Sequence, residues 1–281
     1  MALDAPAPPP RPRFDPAAVP RAEGAARLQV APDEVGRTRL RRLYQRGALK
    51  CLLPGRPARM EAVLLNTAGG LTGGDRLSVE VRAEAGAELT VTSQAAERLY
   101  RAPPGSEAAV DIRLTADAGA TLIWLPQETI VFDRAALRRR IEVELAADAR
   151  LLLVEGLVLG RLAMGERVAE ATLRDHWRIR RAGRLVFAEA LRLSGDIAAA
   201  TAGPATFAGH LAAATLLYAA PDAEARLQPL RAALGPAGGA SLRDGLLIAR
   251  LLAPDGAALR HRLVRAVDAI LPDALPRVWS I

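Results

Sequence analysis

From Gly36 onward the chain alternates apolar and polar residues in short runs. In "RLSVEV" Leu77, Val79 and Val81 fall at every second position, the period of a strand with one buried face. The apolar run "EAVLLNT" that precedes it has the length of a strand. "RTRLRRLYQRGALKCLL" puts Leu40, Arg42 and Tyr44 on one side if extended, although its arginines would equally suit a helix. A longer regularity lies above this pattern. "LSVEVRAEAGAELTVTS", "AAVDIRLTADAGATLIWLP", "RIEVELAADARLLLVEG" and "HWRIRRAGRLVFAEALRL" each read as strand, turn, strand. Their turns, near Gly86, Gly119, Asp148 and Gly183, recur every ~30 residues, a spacing typical of stacked repeat units. A two-strand unit cannot bury its apolar face alone, so the units must stack. The expectation is a mainly β fold: an elongated stack of antiparallel hairpins, a β-helix-like body. A β-sandwich would give much the same alternation.

The pattern changes after about Gly203. "PDAEARLQPLRAALG" opens with Pro221-Asp222, closes on Gly235, and carries Leu227, Leu230 and Leu234 at helical spacing. In "DGAALRHRLVRAVDAIL" Leu259, Leu263, Val267 and Ile270 share one helical face. Two helices are therefore predicted in the C-terminal quarter, over about 221–235 and 255–271, with a strand at Leu246–Leu252 between them. The first 24 residues, "MALDAPAPPPRPRFDPAAVPRAEG", are Pro-rich with no apolar signal core and read as a disordered leader. Residues 25–281 read as one β domain with those helices.

Composition adds little chemistry. The chain is 51% hydrophobic but only 4% aromatic, so its core must be built from Leu, Val, Ile and Ala. Its net charge is +7, yet Lys50 is the one lysine among 38 basic residues. Arginine and alanine in place of lysine and serine are what GC-rich coding produces, which weakens a functional reading of the charge. Cys51 is alone, which excludes an intramolecular disulfide and a thiolate zinc cage within one chain. No apolar run is long enough to span a bilayer, so a cytoplasmic protein is expected.

The stretch "NTAGGLTGGDRL" holds Gly69, Gly70, Gly73 and Gly74. A phosphate loop would need Gly-Lys-Ser/Thr, and here Gly74 is followed by Asp75 and Arg76, placing a carboxylate where an anion would sit. The glycines suit backbone with positive φ and close chain approach, and Asp75 suits a turn fixed by backbone hydrogen bonds. His176, His210 and His261 lack metal-ligand spacing, and no Gly-x-Ser-x-Gly elbow occurs. Acidic residues are more informative: Glu128 in "LPQETIVFD", Glu155 in "LLLVEGLVLG", Glu166 in "GRLAMGER". Glu155 either points outward from a strand edge or faces a polar interior, because a buried carboxylate must be paired, protonated or wet.

"NTAGGLTGGDRL", "TSQAAERLYRA", "LPQETIVFDRA" and "LLLVEGLVLGRLAMGE", in that order and spacing, resemble the urease accessory protein UreD (UreH) family. The resemblance runs from about Gly36 to the last helix and leaves the leader outside. It implies a non-catalytic maturation factor that binds apo-urease and assembles with a helical accessory protein, UreF, and through it with the nickel-carrying GTPase UreG. It implies no tightly bound cofactor, no nucleic-acid or membrane partner, and nickel only in transit. Weak, scattered oxygen donors suit a conduit, because imidazole and thiolate would hold the ion more firmly. On this reading Asp75, Glu128, Asp133, Glu155 and Glu166 line a nickel path or the urease-facing surface. Gln94, Arg98, Tyr100 and Arg161 support the motifs or touch partners, and Arg161 near Glu155 or Glu166 would equally serve as an internal ion pair. Two other classes stay open on residues alone: an enzyme acting at the glycine loop, and a basic nucleic-acid module built on "RTRLRRLYQR" and "RRRIEVEL".

Overall fold

The computed structural model describes residues 20–55, 60–161 and 164–279. Of the expected leader, residues 1–19 lie outside the described residues, and the first strand, β1 (Glu23–Pro32), begins just before the leader's expected end. Three successive coils make the body. Each climbs a strand of one sheet, turns a corner and continues on a second sheet. β5 (Arg76–Ala83) leads to β6 (Glu88–Ser93), β8 (Ala108–Ala116) to β9 (Thr121–Leu125), and β11 (Ala135–Leu145) to β12 (Arg150–Leu159). The first two coils add a short third strand, β7 (Glu97–Leu99) and β10 (Thr129–Val131).

Equivalent strands of successive coils pair in parallel: β5 with β8 and β8 with β11, β6 with β9 and β9 with β12, β7 with β10 and β10 with β12. The corners stack too, with Gly86 N donating to Ala118 O at 2.9 Å and Arg150 N to Ala120 O at 2.8 Å. On the third side Leu71, which precedes the first coil, lines up with Leu99, Val131 and Leu159, one from each coil, and all four are buried.

The mainly β, stacked, β-helix-like body is the one the repeat predicts; the pairing inside a repeat differs. The fourth repeat, β13 (Glu170–Arg181) and β14 (Arg184–Asp196), is an antiparallel hairpin. In the first three, the two strands of a repeat lie in different sheets and pair with the next repeat. Period-two alternation reports that one face of a strand is buried, not which strand lies beside it. A hairpin and a solenoid corner therefore write the same pattern.

The seven-stranded sheet has the order β14-β13-β11-β8-β5-β1-β2, with β2 at Thr38–Gly47. The ten-stranded sheet runs β16-β17-β15-β12-β9-β6-β4-β3, with β7 and β10 beside it. Here β3 is Leu49–Leu52, β4 Met60–Asn66, β15 Ala212–Ala219, β16 Gly238–Arg243 and β17 Leu246–Ala253. The α-helices among the described residues are α1 (Ile197–Ala202), α2 (Ala223–Leu234) and α3 (Gly256–Ile270), so α1 is one more than expected.

One core fills the space between the sheets; a second lies between the outer face of the ten-stranded sheet and α2 and α3. That is why "LLLVEGLVL" reads as a continuous apolar run: Leu151, Leu153 and Leu157 face the first core, Leu152 and Val154 the second. On α3, Leu259, Leu263, Val267 and Ile270 are all at most 1% exposed, each contributing about 2 kcal/mol of burial. Asp255 caps this helix by accepting from Ala258 N at 2.8 Å. By contrast, the outer-facing positions of β5, β11 and β13 are mostly charged and exposed or half-buried.

Candidate functional site

Alternation along β11 turns Leu137, Arg139, Ile141 and Val143 toward the space between the sheets. On β13 the inward set is Leu173, Asp175, Trp177 and Ile179. β12 lies in the middle of its sheet, between β9 and β15, and Glu155 points inward with Leu153 and Leu157. These registers bring three charged side chains together inside an apolar core, exposed by only 7% (Arg139), 6% (Glu155) and 7% (Asp175). Arg139 donates from Nε to Asp175 Oδ1 at 3.1 Å, from Nη2 to Asp175 Oδ2, and from Nη1 to Glu155 Oε2. The outer lone pairs are met by indoles: Trp124 Nε1 donates to Glu155 Oε1 at 2.8 Å, and Trp177 Nε1 to Asp175 Oδ1 at 2.9 Å.

Two carboxylates share one guanidinium, so the cluster is formally one charge short of neutral. Burial pushes the Glu155 carboxyl above its usual range, against the pull of Arg139 and the Trp124 N–H. Burial also opposes the charge on Arg139, but Asp175 and Glu155 outweigh it and raise its pKa. Burial therefore favours a proton on Glu155 while Arg139 stays charged.

A cavity adjoins each side. One, of about 320 Å³, reaches from the glycine loop at Gly69 and Gly70, past Asn66 and Glu97, to Arg139 and Glu155. The other, of about 660 Å³, runs from Arg139, Glu155 and Asp175 to Glu189, Arg192 and Arg250. Thr129, Leu137, Arg139 and Glu155 line both. The two cavities thus meet at the buried cluster, and exposed residues such as Arg98 and Arg250 line their far ends. Near the first end, Asn66 Nδ2 donates to both Glu97 carboxylate oxygens, at 3.1 and 3.2 Å. Burial lifts the Glu97 carboxyl from 4.5 to about 7.

The sequence-predicted residues fall into separate places. Of the five carboxylates, Glu155 lines the cavities. Asp75 is buried at the glycine loop, where it accepts from Thr72 N and Ala22 N, each at 2.8 Å. Glu128 lies on the other core's side, in a two-pronged pair with Arg260 on α3, both distances 2.7 Å. Arg260 also stacks over Trp279, 4.6 Å from the ring centre. Asp133 and Glu166 come together: Asp133 N donates to Glu166 Oε1 at 3.4 Å, and Asp133 Oδ1 accepts from Ala169 N and Glu170 N. Arg161 pairs with Glu166 at 2.7 Å, not with Glu155, and lies 4.2 Å from the Phe132 ring centre. The two residues that follow Arg161, at positions 162 and 163, lie outside the described residues.

Gln94 and Arg98 line the first cavity. Tyr100 packs edge-on against Phe132 at 4.9 Å and crosses the loop beside Gly70. Gly69, Gly70 and Gly74 have φ of 77°, 148° and 95°. A Cβ on Gly70 would lie 2.4 Å from the Tyr100 ring, and one on Gly73 2.1 Å from Ser106 Oγ.

Sequence reasoning passed over Arg139, Asp175 and Glu97. The first two carried a readable signal: each occupies an apolar slot in an otherwise strict alternation, "LRRRIEV" and "LRDHWRI". Glu97 carried none, because the groups around it, Asn66 and the glycine loop, come from elsewhere in the chain. Among the described residues, no three His, Cys, Asp or Glu side chains gather where they could hold a metal ion. No helix of the described residues is long and apolar enough to cross a membrane.

Comparison with known proteins is consistent along the whole described chain. The sequence profile of the family described as UreD urease accessory protein matches residues 22–280. The urease accessory protein UreD of Xanthobacter autotrophicus is 51% identical over 263 residues, covering 92% of this chain and 90% of that protein. Its counterpart in Mesorhizobium japonicum is 50% identical, covering 95% and 97%. That of Rhizobium leguminosarum bv. trifolii is 51% identical, covering 93% and 96%.

Proposed function

The chain belongs to the UreD urease accessory protein family, and from that premise we propose that it matures urease by contact and cation transfer rather than by catalysis. In this reading it works in the cytoplasm and binds apo-urease. It assembles with UreF and, through UreF, with the GTPase UreG, and it lets nickel pass through its interior to the urease active site. Nickel is cargo here, not a resident cofactor. The observation that carries the reading is the pair of cavities that share a wall at Arg139 and Glu155.

The donors along that passage are oxygens met one or two at a time: Glu97 at the first end, then Glu155 and Asp175. Hard, sparse oxygen ligands hold a divalent ion loosely enough to release it. Glu155 is the natural relay, because burial already favours a neutral carboxyl, so an arriving cation exchanges with a proton rather than adding net charge to the core. Arg139 holds both carboxylates apart and aimed. Asp75, Asp133 and Glu166 hold loops in place, and Glu128 anchors α3.

The test is urease activation at limiting nickel in cells lacking this gene, complemented with the wild type or Glu155→Gln. The expected result is inactive, nickel-poor urease without the gene. Complementation with E155Q should leave complex assembly normal while nickel per urease falls severalfold. Fully metallated urease in the deletion strain overturns the reading; full metallation with E155Q overturns the role of Glu155.

A further inference from the structure

The second core covers the outer face of the ten-stranded sheet, but the outer face of the seven-stranded sheet is open to solvent. Its register lines up a row of side chains across six strands: Tyr44, Arg27, Glu80, Arg113, Glu142 and Arg178. Most of these close into a ladder, with Arg27–Glu80 at 3.3 Å, Arg113–Glu80 at 3.7 Å and Arg113–Glu142 at 3.5 Å. The other carboxylates on the face are engaged too, Asp111 with Arg138 and Glu144 with Arg180.

Arginines remain in excess. Arg42, Arg76, Arg140 and Arg178 are exposed and have no ion-pair partner among the described residues. A groove of about 340 Å³ on the same face is lined by Arg27, Arg42, Arg82 and Arg113 against the single carboxylate Glu80. Arginines along β2 alone would be explained as guards of an edge strand. Arg140 and Arg178 lie instead on β11 and β13, well inside the sheet, where no edge needs guarding.

Resting on the urease-maturation reading, we propose that this open face docks an acidic surface of urease, with the groove at Arg42 receiving one of its carboxylates. Size and charge both fit a protein. Six inter-strand spacings of ~4.8 Å and strands of ~26 Å give a face on the order of 750 Å², close to one partner's share of a standard interface. Exposed guanidiniums without internal partners lose no existing bond on docking, and each offers a two-pronged match to a carboxylate.

The experiment measures affinity of the full chain for apo-urease between about 50 and 300 mM salt. Wild type should weaken at least about tenfold across that range. The R42E/R140E/R178E variant should already be weaker by about tenfold at low salt, with a flattened salt dependence, while Arg265→Glu on α3 changes nothing. Should the triple reversal fail to fold, R140A/R178A gives the same comparison at smaller amplitude. Unchanged affinity in a folded variant overturns the inference and leaves the functional reading standing; no urease binding by wild type overturns both. Loss of binding to a DNA duplex or to anionic vesicles with urease affinity intact assigns the face to another polyanion and also overturns it.

Discussion

Replacing Glu97 by Gln should change how stability depends on pH, and the structure fixes both sign and ceiling. Burial on β7 moves this carboxyl from 4.5 to about 7, with Asn66 and a backbone N–H opposing and the charge of Asp75 adding. The folded protein therefore holds the proton more tightly than the unfolded chain. The favourable contribution is fully present below about 4.5 and is lost as pH rises to about 7. At ~1.4 kcal/mol per pH unit, the loss is at most about 3.5 kcal/mol. Glu97 is half-buried, so solvent screening makes about 1–2 kcal/mol the expected value. Gln is neutral throughout and removes the dependence. Urea unfolding at pH 5, 6, 7 and 8 should show the E97Q-minus-wild-type difference growing across the series and levelling off above neutrality. Any constant offset from altered bonding to Asn66 drops out of that comparison. A difference that stays flat with pH would refute the argument that Glu97 is desolvated in the folded protein.

Three further outcomes are expected. Arg139→Met should cost about 3–5 kcal/mol in chemical denaturation by leaving two buried carboxylates without their cation, whereas R139M/E155Q/D175N recovers most of that loss. Gly70→Ala should lower stability by about 3 kcal/mol or more, since a left-handed φ and the Tyr100 ring both oppose a Cβ; Gly69→Ala, with open space around it, should cost about 1 kcal/mol. Glu128→Ala strands Arg260 in a part-buried site. It should shift Trp279 fluorescence to the red and destabilise by about 2–4 kcal/mol.

The β character, the stacked repeat, the helical faces at Leu259–Ile270 and the turn-forming glycines were all legible in the amino-acid order. Each of these depends on local periodicity or on one residue's own backbone freedom, and both are written in neighbouring letters. That the first three repeats are coils rather than hairpins emerged from the folded arrangement. The pairing partner of a strand lies a full repeat away and leaves the strand's own alternation unchanged. That arrangement also sorted five similar-looking carboxylates into different jobs. Glu155 and Glu128 both sit in apolar motifs, yet Glu155 faces the space between the sheets and Glu128 faces α3, because the ten-stranded sheet is buried on both sides. The meeting of Arg139, Glu155 and Asp175 is set by register across three strands in two sheets. Their charges could be seen along the chain, but their proximity is a property of packing alone.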